Sequence, residues 1–194
     1  MKRILIITIL CLFVISMSVV AFAAEPVNSQ ENTYKKVAII PYINSTEEKK
    51  GYVKEIIDSK YTELYSNKNF QMIPEVDVLK ALNSTGFSIA NMELPEKDIL
   101  AAVAKETNAD YVIAMEVSQL ITTRHMSFFQ TKVVTKTKLR YKFYNTEQSK
   151  MVSFQTTGIS ENKTVIGDVG YKDPITKALN QAMDDANEKI MSNL

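Results

Sequence analysis

Lys36-Val37-Ala38-Ile39-Ile40-Pro41-Tyr42 is the stretch that decides the fold. Its apolar residues run on without alternating, as they must in a strand whose two faces are both covered. Parallel sheets flanked by helices contain such strands; a half-solvated antiparallel sheet does not. Pro41 has no amide hydrogen to give to a ladder, so pairing is expected to weaken there.

Working outward, Ser45-Thr46-Glu47-Glu48 has the form of a capping box. Behind it Val53, Ile56, Ile57, Tyr61, Leu64 and Tyr65 recur at helical spacing, which predicts a helix over 46–66. Tyr61 and Leu64 fall on its inner face, while Lys49, Lys50, Lys54, Glu55 and Lys60 take other positions around the helix, with Lys54 and Lys60 expected to face solvent. Asn67-Lys68-Asn69 ends that helix, and Phe70-Gln71-Met72-Ile73 reads as a short strand. Pro74 opens a brief helix to about Leu82, and Pro95 a second that buries Ile99, Leu100, Val103 and Ala104. Asn108 suits a left-handed cap, and Tyr111-Val112-Ile113-Ala114-Met115-Glu116-Val117 is another buried strand.

The pattern then changes from buried runs to alternation. From Phe128 to Tyr144 apolar and polar residues take turns, and a second strand follows at 151–159 after a turn near 145–149. Asp173-Pro174 reads as an N-cap and first helical proline, opening a helix whose inner face is Ile175, Ala178, Leu179, Ala182, Met183, Ala186 and Ile190. The expected fold class is α/β: a mixed sheet with a parallel βαβ core, an added antiparallel hairpin and a C-terminal amphipathic helix.

The amino terminus carries a different message. Lys2 and Arg3 precede an apolar run over 4–15 broken by one Thr, and Ala21-Phe22-Ala23 offers small residues to a peptidase. Residues 1–23 are therefore expected to be a signal peptide cleaved after Ala23, 24–34 a flexible leader and 35–194 a single α/β domain. The product would be exported, periplasmic or secreted. Cys11, the one cysteine, lies inside the apolar run after Leu10, so neither a lipid anchor nor a disulfide is expected. With no thiol left and His125 the one histidine, a zinc-type centre lacks ligands. Of 23 basic and 22 acidic residues, cleavage removes two bases and no acid, which leaves the chain near neutrality and argues against a nucleic-acid partner.

Two segments carry a resemblance. Val37-Ala38-Ile39-Ile40-Pro41-Tyr42-Ile43-Asn44 resembles a first-strand signature, an apolar run followed by Pro-aromatic-x-Asn. Asn108-Ala109-Asp110-Tyr111-Val112-Ile113 resembles a third-strand signature in which a helix ends just before Ala-Asp-Tyr. Both belong to the fold shared by the amino-terminal domain of TolB, the curli secretion lipoprotein and the lipoprotein activators of penicillin-binding proteins. The resemblance implies an envelope binding or assembly component rather than an enzyme. It transfers no specific partner. Lys132, Lys136, Lys138, Arg140 and Lys142 exclude a lipid-facing spanning hairpin, which sets the chain apart from the curli channel.

Candidate chemistry is sparse. His125 follows Arg124 at a junction between strands and reads as an exposed loop residue. Asp168, Asp173, Asp184 and Asp185 lack the alternating carboxylates of a calcium loop, and no glycine-rich phosphate loop or nucleophile elbow is present. No cofactor or metal is implied. The sharpest feature is the alternating strand: Lys132, Lys136, Lys138, Arg140 and Lys142 share one face, opposite Thr131, Val133, Thr135, Thr137, Leu139, Tyr141 and Phe143. One reading makes this a solvated face that resists edge pairing; the other makes it a contact for an envelope protein or anionic polymer, with membrane contact peripheral at most. The alternative in another class is a small secreted hydrolase or ligand-binding enzyme, which would need a deep pocket joining His125 to a carboxylate and a hydroxyl.

Overall fold

Val37 and Ala38 are both fully buried, on opposite sides of one sheet, as their non-alternating sequence requires. The computed structural model describes residues 34–48, 50–165 and 170–194. The expected signal peptide, nearly all of the leader, Lys49 and Asp168 lie outside the described residues.

Strand β1 (Lys35–Ile39) sits between β3 (Phe70–Met72) and β4 (Tyr111–Met126), parallel to both. Ladder pairing pauses at Pro41 and resumes in the two-residue β2 (Ile43–Asn44), which pairs in parallel with β4 at Glu116 and Val117. Strands β5 (Thr131–Asn145) and β6 (Lys150–Thr164) then add antiparallel, giving the order β3-β1-β4-β5-β6. The fold is mixed α/β, with parallel pairs at one end of the sheet and a long antiparallel meander at the other.

Helices cover the two faces unequally. Helix α1 (Gly51–Tyr65) and the C-terminal α4 (Lys172–Met191) pack on one face, burying Val53, Ile57, Tyr61, Ile175, Leu179 and Met183 against Met115, Leu139, Tyr141 and Phe143. Helix α2 (Glu75–Ser84) and α3 (Lys97–Thr107) cover the other face only over the parallel end, on Ala38, Ile40, Val112, Ala114 and Tyr144.

The residues of the two motifs explain themselves as joints. Asn108 adopts the left-handed conformation (φ 51°) that ends α3. The Asp110 carboxylate then accepts from the Lys36 amide at 2.7 Å and pairs with Lys35 at 3.3 Å, tying the start of β4 to the start of β1. Asn44 holds the loop after β2, its Oδ1 accepting from the Thr46 amide (3.0 Å) and hydroxyl (2.7 Å).

That loop corrects the expected capping box. Helix α1 begins at Gly51, and its N-cap Lys50 makes no side-chain cap bond. Ser45 and Glu48 belong to the Asn44 turn instead, with Glu48 accepting from the Lys50 amide at 3.2 Å. Asp173 likewise is not an N-cap, because α4 starts one residue earlier and Asp173 pairs with Lys177 and Asn162. Lys60 is the larger correction: it is buried, held by Glu63 and by Asp184 of α4, both at 2.8 Å. Burial works against its charge, but those hydrogen bonds outweigh it and raise the Lys60 pKa. Leu64 is half-buried, whereas Ile57 is fully buried. Ile57→Ala is therefore expected to cost about 2–5 kcal/mol and Leu64→Ala clearly less, read as shifts in denaturation midpoint at unchanged slope.

Burial also pushes the phenols of Tyr61, Tyr65 and Tyr141 well above the ordinary tyrosine range. In the unfolded chain these groups ionise near pH ~10, while in the fold they stay neutral. Their contribution to stability is thus complete below about pH 10 and is lost as pH rises through the native values. Alkaline titration should show phenolate absorbance from these three arriving together with loss of helical signal; phenolate formation in an intact fold would contradict the burial.

Candidate binding face

Past the end of α3 no described helix covers the second sheet face. It runs over three strands, and the registers place its residues. On β5 they are Lys132, Val134, Lys136, Lys138, Arg140 and Lys142, opposite the buried Val133, Thr135, Thr137, Leu139, Tyr141 and Phe143. The five cations named from sequence thus share one face of one strand.

The neighbours came from segments whose pairing sequence alone did not reveal. Strand β4 does not stop at Val117; an irregularity at Ser118 shifts its register, and the Ser118 hydroxyl donates to the Lys138 carbonyl at 3.1 Å. After this shift Gln119, Ile121, Thr123 and His125 join the open face, beside Lys138, Lys136, Val134 and Lys132. On the other side β6 presents Gln155, Thr157, Ile159 and Glu161. His125 is therefore an exposed strand residue rather than a loop residue.

The positive charge is much less free than the strand sequence implies. Arg140 donates from Nε at 2.7 Å, and again from Nη2, to the Glu116 carboxylate, which is 2% exposed. Lys142 pairs with Glu96 at 2.9 Å and Lys132 with Glu161 at 2.6 Å. The hydrogen bonds from Lys132 and then Lys163 hold the Glu161 carboxyl below its ordinary value. Lys136 and Lys138 make no ion pair among the described residues. They stand in the middle of the face, and Lys136 lies between Ile121 and Ile159, 51% and 55% exposed. The combination is an unneutralised cation pair with exposed aliphatic surface on both sides.

Beside this face is an open cleft of about 570 Å³, lined by Glu93, Leu94, Glu116, Arg140 and Gln155. A smaller crevice of about 260 Å³ lies at the carboxyl ends of β1 and β3, where small molecules bind in open α/β sheets. Its Lys54 is engaged with Asp58 at 2.6 Å and Glu75 at 3.7 Å. His125 lines neither cleft. Asp184 is used by Lys60, Asp185 is exposed on α4, and no cluster of three metal-ligating side chains occurs among the described residues. No described helix is long and apolar enough to cross a membrane.

No protein-family model and no curated protein matches the chain. Solved structures do. Protein CT253 of Chlamydia trachomatis is 14% identical, with a TM-score of 0.50 over 82% of this chain and 95% of that one. Lipoprotein GNA1162 of Neisseria meningitidis is 13% identical over 82% and 99% of the two chains, TM-score 0.48. The C-terminal domain of LpoB from Salmonella enterica is 10% identical over 63% and 81%, TM-score 0.39. The fold is thus shared with CT253.

Proposed function

We propose that this chain is an exported, non-enzymatic envelope protein that binds a protein or anionic polymer through the open face of β4, β5 and β6. One observation carries the reading: among the described residues Lys136 and Lys138 have no ion-pair partner, at the centre of a sheet face whose other cations are paired, with exposed Ile121 and Ile159 alongside. Such a surface offers an acidic partner attraction at long range and apolar contact at short range. The charged start, apolar run and Ala-x-Ala site read in the sequence of residues 1–23 support an envelope setting. Export with cleavage after Ala23 is part of the proposal.

Arg140 is excluded from the binding set, because its guanidinium is already committed to Glu116. The experiment is cross-linked recovery from envelope extracts, comparing the wild type with Lys136→Gln/Lys138→Gln at low and high salt. A partner recovered by the wild type at low salt, and lost both in the variant and at high salt, supports the reading. Identical recovery from both proteins at both salt levels overturns it and leaves these lysines as a solvated surface.

A further inference from the structure

The turn between β4 and β5 carries residues that its geometry does not favour. Ser127 and Gln130 close it through amide–carbonyl bonds of 2.8 and 3.4 Å, and the Ser127 hydroxyl donates to the Gln130 carbonyl at 3.0 Å. Two-residue hairpin turns favour Gly, Asn or Asp at their centre, where positive φ matches the strand twist. The central residues here are Phe128 and Phe129, neither of which has positive φ. They are 94% and 76% exposed, with their rings edge to face at 4.9 Å.

Met126 and Val165 extend the same patch, at 76% and 75% exposure. These four are the most exposed large apolar residues among those described, and all stand at one end of the three-stranded ribbon. The register makes this plain: Met126 faces Thr131, Thr131 faces Thr164, and Val165 follows. One row behind stand His125, Lys132 and Lys163, and Arg124 lies one row further back. Glu161 pairs with both Lys132 and Lys163, so the three side chains together keep one net positive charge.

We propose that this tip inserts into a lipid surface bearing anionic headgroups. The patch is convex, a point rather than a groove, and a bilayer receives an apolar point without a matching pocket. The closing bonds between Ser127 and Gln130 satisfy turn backbone groups that hydrocarbon would otherwise leave unpaired. A strand advances about 3.3 Å per residue, so Lys132 and Lys163 sit at headgroup depth when the Phe rings reach the acyl boundary. Basic groups at that depth bind anionic lipid. The cations farther along β5 stop deeper entry, so the contact is peripheral and no strand spans. The inference is independent of the partner-binding role of Lys136 and Lys138.

The chain contains no tryptophan, so Phe129→Trp provides a unique reporter in the exported protein. With vesicles of phosphatidylcholine and phosphatidylglycerol, its emission should shift to the blue and be quenched by brominated acyl chains. Phe128→Ser/Phe129→Ser should reduce co-sedimentation with those vesicles about tenfold or more with an unchanged far-ultraviolet dichroism spectrum. Lys132→Gln/Lys163→Gln should weaken binding to the anionic vesicles and leave any residual binding to pure phosphatidylcholine unaltered. Unshifted emission at saturating vesicle, or equal sedimentation of the double serine variant and wild type, overturns the proposal. So does self-association that depends on the two phenylalanines without vesicle binding, which would assign the tip to a second copy of the chain.

Discussion

Gly158→Ala is expected to be among the most damaging single-methyl changes available to this chain. Gly158 lies on β6 where α4 crosses it, and a Cβ built there would stand 1.8 Å from the Ala178 carbonyl oxygen and 2.8 Å from its carbon. Both atoms are helix backbone, so no side chain can swing aside. Helix α4 would have to lift, loosening Leu179 and Ala182 from Leu139 and Tyr141 beneath it. Overpacking typically costs about 1–3 kcal/mol, and a clash with backbone belongs at or beyond the top of that range. Gly51→Ala is the control, since a Cβ there meets nothing within 4 Å and alanine suits a helix better than glycine. The denaturation midpoint should fall sharply for the first variant and hold or rise slightly for the second. Equal midpoints would mean that α4 does not sit this close to β6.

Arg140→Ala is the second large effect. Its partner Glu116 is 2% exposed, whereas the Arg140 side chain is 54% exposed. Truncating the arginine therefore strands a carboxylate inside the sheet. Breaking a buried ion pair costs about 3–5 kcal/mol; half-exposure of Arg140, beside an open cleft that admits water, puts this case near the lower end. Replacing both residues together by Met should recover much of the loss, because an apolar pair leaves no unpaired charge behind. A stable Arg140→Ala protein would show that the ion pair is dispensable and would return Arg140 to the set of free cations.

What was legible in the sequence followed the range of the interactions. The first strand could be read because Val37 and Ala38 are each buried by their own face of the sheet, a property carried within the run itself. The Asn108 cap and the alternation of β5 are equally local. Ser45-Thr46-Glu47-Glu48 misled because the same polar groups serve an Asx turn as well as a helix cap, and Asn44 decides between them. Lys60 was misplaced because Asp184, more than a hundred positions away, supplies its partner. The far half of β4 was missed because the shift at Ser118 breaks the phase of its alternation. Phe128 and Phe129 were read as strand because they are apolar, whereas they form the turn.

The site was legible to the same degree. Strand periodicity put all five cations on one face. Which of them remain available depends on Glu116, Glu96 and Glu161, contributed by β4, the segment before α3, and β6. No window along β5 contains that information. Of the five, Lys136 and Lys138 are the two without an ion pair among the described residues, and Ile121 and Ile159 are exposed on either side of Lys136.

Amine-reactive labelling of the protein in intact envelopes, read residue by residue by mass spectrometry, tests the binding face most directly. Lys177 is the internal control, an exposed lysine on α4 and so on the opposite side of the sheet. The account predicts that Lys136 and Lys138 are modified readily in the purified protein, protected in the envelope and exposed again by high salt, while Lys177 changes little throughout. Lys136 and Lys138 labelled as readily in the envelope as in isolation, in parallel with Lys177, would contradict it.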